Sequence, residues 1–268
     1  MGRFLLPTVG VAPIPYNLLR QTFALLNSEP CMIPINLDQL EFQYPRSDFR
    51  LVIEQLSINA GSKVAIVGPS GSGKTTLLNL MAGIYVPQQG RIQIGADSVS
   101  EMSDRDRRNF RISKIGMVFQ QFELVDYLNT LENILLPFAI NQSIRLTRQD
   151  RQYAESLVQE MGLGDKLRRL PSRLSQGEQQ RVAICRALVT RPKLIFADEP
   201  TGNLDPKNKT KILDILFKVN QEQGQTLIVV THDMQILDGF ERTIDFQEFT
   251  VDSASGSQLD DPVGATKS

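Results

Sequence analysis

The sequence predicts an α/β fold: a parallel-rich sheet with helices, a smaller antiparallel β subdomain beside it, and a helical subdomain set between its strands. Three observations carry this. Lys63-Val64-Ala65-Ile66-Val67 is a short apolar run suited to a buried parallel strand, and it passes through a glycine-rich turn into a helical pattern, Thr75 to Ala82. Beyond residue 193 apolar strands alternate with a helix again. Several of these strands end in polar residues, and in an open parallel sheet ligands bind beyond the carboxyl ends of the strands.

Taken in order, residues 1–34 form an extension of open role. Its uncharged stretch Phe4 to Leu19 contains Pro7, Gly10, Pro13 and Pro15, is shorter than the roughly 20 apolar residues of a membrane span, and lacks a secretory cleavage pattern. Ile35 to Tyr44 alternates apolar and polar as a half-buried strand does. Leu51 to Ile58 and Gly90 to Gly95 complete an expected antiparallel sheet. Ser103 to Arg111 is helical in tone, and Lys114 to Phe119 is a buried strand ending at Gln120. From 121 to about 175 helices dominate. Thr130-Leu131-Glu132-Asn133 opens one that Pro137 is expected to stop, and Thr147 to Asp150 has capping-box spacing. Ala154, Leu157, Val158 and Met161 then form a core stripe. Lys193 to Ala197, a helix from Lys209 to Val219, and Thr226 to Val230 restore the α/β pattern, with 248–268 expected to be a disordered tail.

Composition narrows the function. At 268 residues, 41% apolar and 22% charged, the chain has ample core for a globular protein. Its 29 Lys plus Arg against 30 Asp plus Glu give a net charge of −1, which argues against nucleic acid as the main partner. Two cysteines, Cys31 and Cys185, read as unpaired thiols of a reducing compartment, and a single histidine leaves no Cys/His metal cluster.

The chemistry converges on Gly68-Pro69-Ser70-Gly71-Ser72-Gly73-Lys74-Thr75, which fits the phosphate-binding P-loop pattern between a strand and a helix. Backbone N–H groups and the helix dipole there favour a phosphate. Lys74 would reach the β- and γ-phosphates of a nucleoside triphosphate, with Thr76 among the nucleotide-binding residues, and the Thr75 hydroxyl would ligate Mg²⁺. Asp198, after four apolar residues, suits the carboxylate that holds Mg²⁺ through water. Glu199 can deprotonate the attacking water. Gln120 offers a neutral amide to the metal or the water, and His232, just past a strand, can donate to the γ-phosphate. Tyr44 could stack on a nucleotide base or serve as a core aromatic; the residues alone do not choose. Leu174-Ser175-Gln176-Gly177-Glu178 reads as a helix capping box whose N–H groups could also receive an anion.

The order P-loop, Gln120, Leu-Ser-Gln-Gly-Glu, Leu194 to Glu199, Leu204-Asp205 and His232 resembles the ATP-binding cassette (ABC) ATPases over residues 35–247. The resemblance implies an ATPase that works as a dimer, in which Ser175, Gly177 and Glu178 act in trans on the ATP held by a second ATPase subunit. The Asp205 loop would cross the same interface, and Tyr44 would stack on adenine. Gly116 to Leu124, Leu131 to Pro137 and Ala197 to Asp205 are similar to the lipoprotein-releasing, macrolide-exporting and cell-division branch. That branch implies a separate integral membrane permease on whose cytoplasmic face the subunit sits, with Phe122, Leu124 and Tyr127 as candidate contacts or, equally, packing residues. Export and mechanical work without transport both remain open. A DNA-repair or translation ATPase is disfavoured, since no coiled-coil or zinc insertion is present. Gln176 departs from the family's glycine, Cys185 stands where alanine is common, and the Asp-Gly turn after residue 245 is missing.

Overall fold

The computed structural model of the chain describes residues 33–202, 204 and 206–249. The expectations about the extension before residue 33, Cys31, Asp205 and the tail from residue 250 lie outside them.

The antiparallel sheet has the order β2-β1-β4-β5, with β1 at Ile35–Gln43, β2 at Arg50–Ile58, β4 at Gln89–Ile94 and β5 at Asp97–Ser98. In β1, Ile35, Leu37, Leu40 and Phe42 are buried, so the alternation slips by one residue after Leu37. The slip is a bulge: Gln39 has φ 49°, and the register with β4 shifts between Asp38 and Glu41. Gly90 lies against it, where a Cβ would come within 2.5 Å of Asp38 O. Only glycine lets the two backbones approach so closely.

The parallel sheet has the order β6-β7-β8-β3-β9, from β3 (Lys63–Val67), β6 (Ile115–Val118), β7 (Leu194–Asp198), β8 (Thr226–Thr231) and β9 (Arg242–Asp245). Its inner strands are buried almost without interruption, as strands covered on both faces must be. One face joins the antiparallel sheet and helix α1 (Lys74–Met81) in a core that includes Ile35, Leu37, Leu77, Phe196 and Phe246. The other face packs against α5 (Gln176–Leu188) and α6 (Pro206–Gln223), together with α3 (Thr130–Ile140) and α4 (Arg148–Glu160) of the helical stretch. The remaining helix, α2 (Asp104–Lys114), precedes β6.

Local rules set the helix ends. Gly83, at φ 65°, follows the end of α1. Capping boxes open α3 (Asn129, Glu132), α4 (Thr147, Asp150) and α5 (Ser175, Glu178). Pro137 does not stop its helix: α3 continues to Ile140. The proline removes one N–H and crowds the preceding turn, but its φ is helical. Burial of Ile134 and Leu135 and packing of Phe138 beyond the proline outweigh that loss. Helix α6 is also longer at both ends than Lys209 to Val219. No described helix is long and apolar enough to cross a membrane.

Candidate functional site

Strand pairing brings the polar strand ends together. In the parallel register Val118 pairs with Ala197, Asp198 with Val230, and Val67 with Thr231. Gln120, Asp198-Glu199, His232 and Gly68 therefore leave one edge of the sheet side by side. Glu199 N donates to Val230 O at 2.9 Å, which extends the ladder one residue beyond β7.

At the P-loop, Gly68, Gly71 and Gly73 have φ of 159°, 78° and 107°. The last two are left-handed, and Gly73 is also the N-cap of α1. Lys74 is buried and folds back on the loop: Nζ donates to Gly68 O at 2.8 Å, Pro69 O at 2.6 Å and Ser72 Oγ at 3.4 Å. Burial pushes its ammonium below the usual lysine range, opposed by the nearby Glu199 and Asp198 carboxylates.

Thr75 Oγ1 donates to Asp198 Oδ2 at 2.8 Å, while Asp198 Oδ1 is buried without a partner. Burial raises the Asp198 pKa; the Thr75 hydrogen bond opposes this and the Glu199 charge adds to it. Glu199 has φ 47° and a side chain only 11% exposed. Its Oε1 accepts from His232 Nδ1 at 2.7 Å, because a carboxylate can only accept, and its Oε2 is buried without a partner. Two orphaned carboxylate oxygens beside a threonine hydroxyl and a buried lysine fit a hydrated divalent cation and an attacking water. Among the described residues no three His, Cys, Asp or Glu side chains cluster to hold an ion alone. An ion here would therefore draw on phosphate oxygens.

The other expected residues fall out as follows. Gln120 is exposed at the turn after β6. Thr76 is buried, and its hydroxyl shares a 2.8 Å hydrogen bond with Tyr44. The Tyr44 ring lies half-buried against Phe42 (4.9 Å between centroids), Tyr85 (5.5 Å) and Phe49 (5.7 Å). Ser175, Gly177 and Glu178 begin α5: Ser175 N donates to Glu178 Oε2 at 2.8 Å, and Lys166 pairs with Glu178 at 3.1 Å. Ser175 and Gln176 are exposed. Of the three candidate contact residues, Phe122 is buried, Leu124 packs on the second core, and Tyr127 is 82% exposed.

Sequence reasoning missed four residues. A Cβ on Gly73 would lie 2.7 Å from Phe49 Cε2, so this ring packs directly on the P-loop. The signal available was an aromatic, Phe49, directly after the polar turn Pro45 to Asp48. Lys209 of α6 bonds Asp233, next to His232, at 2.6 Å and holds that carboxyl below its usual range. Asn133 and Arg186 brace the Gln120 loop. No periodic spacing announces these pairs.

Strand, P-loop and helix, with a carboxylate pair at the end of β7, one strand removed across β8, define a nucleoside triphosphatase of the P-loop class. Within that class the chain belongs to the ABC transporter family, as an ATP-hydrolysing cassette: the family's pattern matches residues 53–202, more than half of the sequence. It is 44% identical over 182 residues to the uncharacterized ABC transporter ATP-binding protein YbbA of Escherichia coli, covering 68% of this chain and 79% of that one. It is 43% identical over 189 residues to the macrolide export ATP-binding/permease protein MacB of Rhodopirellula baltica, covering 70% of this chain but only 28% of MacB. The dimeric post-hydrolysis structure of the cassette MJ0796 bound to ADP and Pi superposes with a TM-score of 0.69 at 34% identity, over 79% of this chain and 94% of that one.

Proposed function

We propose that this chain is the nucleotide-binding subunit of an export-type ABC machine, dimerising head-to-tail with a second copy and driving a separate membrane permease from the cytoplasmic face. Residues 35–247 are the ATPase unit in this reading, and 121–175 its helical arm. The observation that carries it is the division of the site. Lys74, Thr75, Asp198, Glu199 and His232 gather at one sheet edge, while the Ser175 capping box stands exposed at the start of α5. A second copy could place that helix N-terminus over the phosphates.

Each residue then has one task. Lys74 and the P-loop N–H groups hold the β- and γ-phosphates. Thr75, Asp198 and Gln120 would hold Mg²⁺, which neutralises phosphate charge when bound. Glu199 takes the proton from the attacking water through its free Oε2, and His232 keeps Glu199 oriented through Oε1. For the permease, a groove of about 370 Å³ lined by Met117, Phe119, Glu123, Leu136, Pro137 and Ile140 fits the end of a short helix. Ile140, 67% exposed, is an apolar residue left at its rim.

The test is purification from detergent-solubilised membranes with identification of co-purifying proteins. An integral membrane partner in stoichiometric yield is the expected result. Recovery in the soluble fraction alone, with no such partner, would overturn the transport reading.

A further inference from the structure

Just past Gln120, Phe122 and Glu123 have φ of 62° and 49°. Two consecutive residues with large L side chains in the left-handed region are strained, and neither is a glycine, asparagine or aspartate that tolerates it. Both of their carbonyls are taken by one donor. Arg186 Nη2 donates to Phe122 O at 2.5 Å, and Nη1 donates to Glu123 O. The planar guanidinium fork suits two adjacent carbonyls as no other side chain does.

Arg186 lies in the last turn of α5, the helix that begins at the Ser175 capping box. An arginine there commonly serves its own helix's last carbonyls. This one instead reaches a loop more than sixty positions earlier in the chain. The far end of that loop has its own brace: buried Asn133 accepts from Val125 N at 2.8 Å and donates to Val125 O at 3.0 Å and Leu128 O at 2.8 Å. The strained pair beside Gln120 thus depends on Arg186. Glu123 and Arg186 also line the 370 Å³ groove, so an occupant of that groove would bear on the same clamp.

We propose that Arg186 is a positioning residue for ATP hydrolysis: its fork holds Phe122 and Glu123 in the left-handed form that presents Gln120 to the metal and phosphates. The inference rests on the role given to Gln120 above and extends it to a residue that touches no nucleotide. Without the fork the two residues relax to φ below zero, and the backbone turn that aims Gln120 is lost.

The experiment measures steady-state ATPase activity of the full chain against Mg²⁺ and ATP concentration for Arg186→Met, Arg186→Lys, Gln120→Ala and the Arg186→Met/Gln120→Ala double variant, with thermal unfolding alongside. Arg186→Met lowers kcat about tenfold and raises the half-saturating Mg²⁺ concentration about threefold or more, with KM for ATP within about twofold. Arg186→Lys, with one donor point instead of a fork, falls between Met and the parent. The double variant is no worse than Gln120→Ala, because both act through one group. A role confined to stability would shift the melting temperature and leave the Mg²⁺ profile unchanged. An Arg186→Met or, if that variant does not fold, an Arg186→Lys protein with the parent's kcat and Mg²⁺ dependence overturns the inference, as does additivity in the double variant. If Gln120→Ala itself keeps the parent's profile, the role of Gln120 falls and this inference with it; an impaired Gln120→Ala beside an unimpaired Arg186 variant overturns the inference alone.

Discussion

Replacing Glu199 by glutamine separates binding from chemistry. The substitution preserves shape, and the positive φ of 47° costs glutamine no more than glutamate. The amide oxygen can still accept from His232 Nδ1 across the present 2.7 Å, so the ring and the end of β8 stay in place. What disappears is the basicity of Oε2, a carboxylate oxygen that is buried without a partner. A positioned general base contributes about 10²–10⁴-fold, or roughly 3–5 kcal/mol of barrier. The expected kcat is therefore at least about 10² below the parent.

Binding should move the other way. The Glu199 charge lies close enough to Asp198 to push its carboxyl up, and a phosphate chain feels the same repulsion. Its removal leaves Lys74, Thr75 and Asp198 intact, so ATP affinity is unchanged or up to about threefold tighter. A slow, tightly bound complex should accumulate as the ATP-bound dimer. The assays are phosphate release at saturating ATP, titration with a labelled nucleotide, and light scattering with and without ATP. Hydrolysis within about threefold of the parent rate would refute the assignment of Glu199 as the base.

Lys74→Ala removes a buried cation with three local acceptors. Charge-assisted hydrogen bonds of about 1.5–3 kcal/mol predict a loss of roughly 10–100-fold in ATP affinity, and an unchanged titration would contradict the P-loop reading. Gly73→Ala meets both a φ of 107° and the Phe49 ring. It should weaken binding at least about tenfold, and adding Phe49→Ala should recover only the steric share, because the backbone strain of about 1–2 kcal/mol remains. Asp150→Ala tests stability away from the site. Burial raises the Asp150 pKa, but hydrogen bonds from Thr147 and Arg191, the latter at 2.7 Å, outweigh it and leave the group below its ordinary 3.8. A depressed folded pKa stabilises above the unfolded value and is lost as pH falls through the folded one. Denaturant titrations should show the parent about 1–2 kcal/mol more stable at pH 7, with the gap closing below pH 3.8.

Most of the fold was legible because it rests on local rules. Apolar runs such as Leu194 to Ala197 read as buried parallel strands, and two capping boxes, at Thr147 and Ser175, mark helix starts in the spacing of the residues. Pro137 misled because a propensity rule met a tertiary environment: the apolar residues around it are worth more in the core than one backbone hydrogen bond. The bulge at Gln39 was invisible for a related reason. It needs the close approach of Gly90, about fifty residues away.

The site divides along the same line. The residues proposed for the chemistry, Lys74, Thr75, Asp198, Glu199 and His232, were legible as one cluster because each stands at or just past the end of a strand or the start of a helix, where sequence position dictates spatial position. The residues that hold them were not. Phe49 against Gly73, Lys209 on Asp233, and Arg186 on the Phe122 and Glu123 carbonyls are meetings between segments whose separation carries no periodic signal. Two of these three begin on the helices that flank the Glu199 strand, α5 and α6, and end on the loops that carry Gln120 and His232. A rigid shift of either helix therefore cannot occur without moving a group proposed for the reaction. In the proposed reading, Arg186 ties the groove to the Gln120 loop through two backbone carbonyls and Lys209 ties α6 to the His232 loop through the Asp233 carboxylate, so motion of either helix is felt at the phosphates.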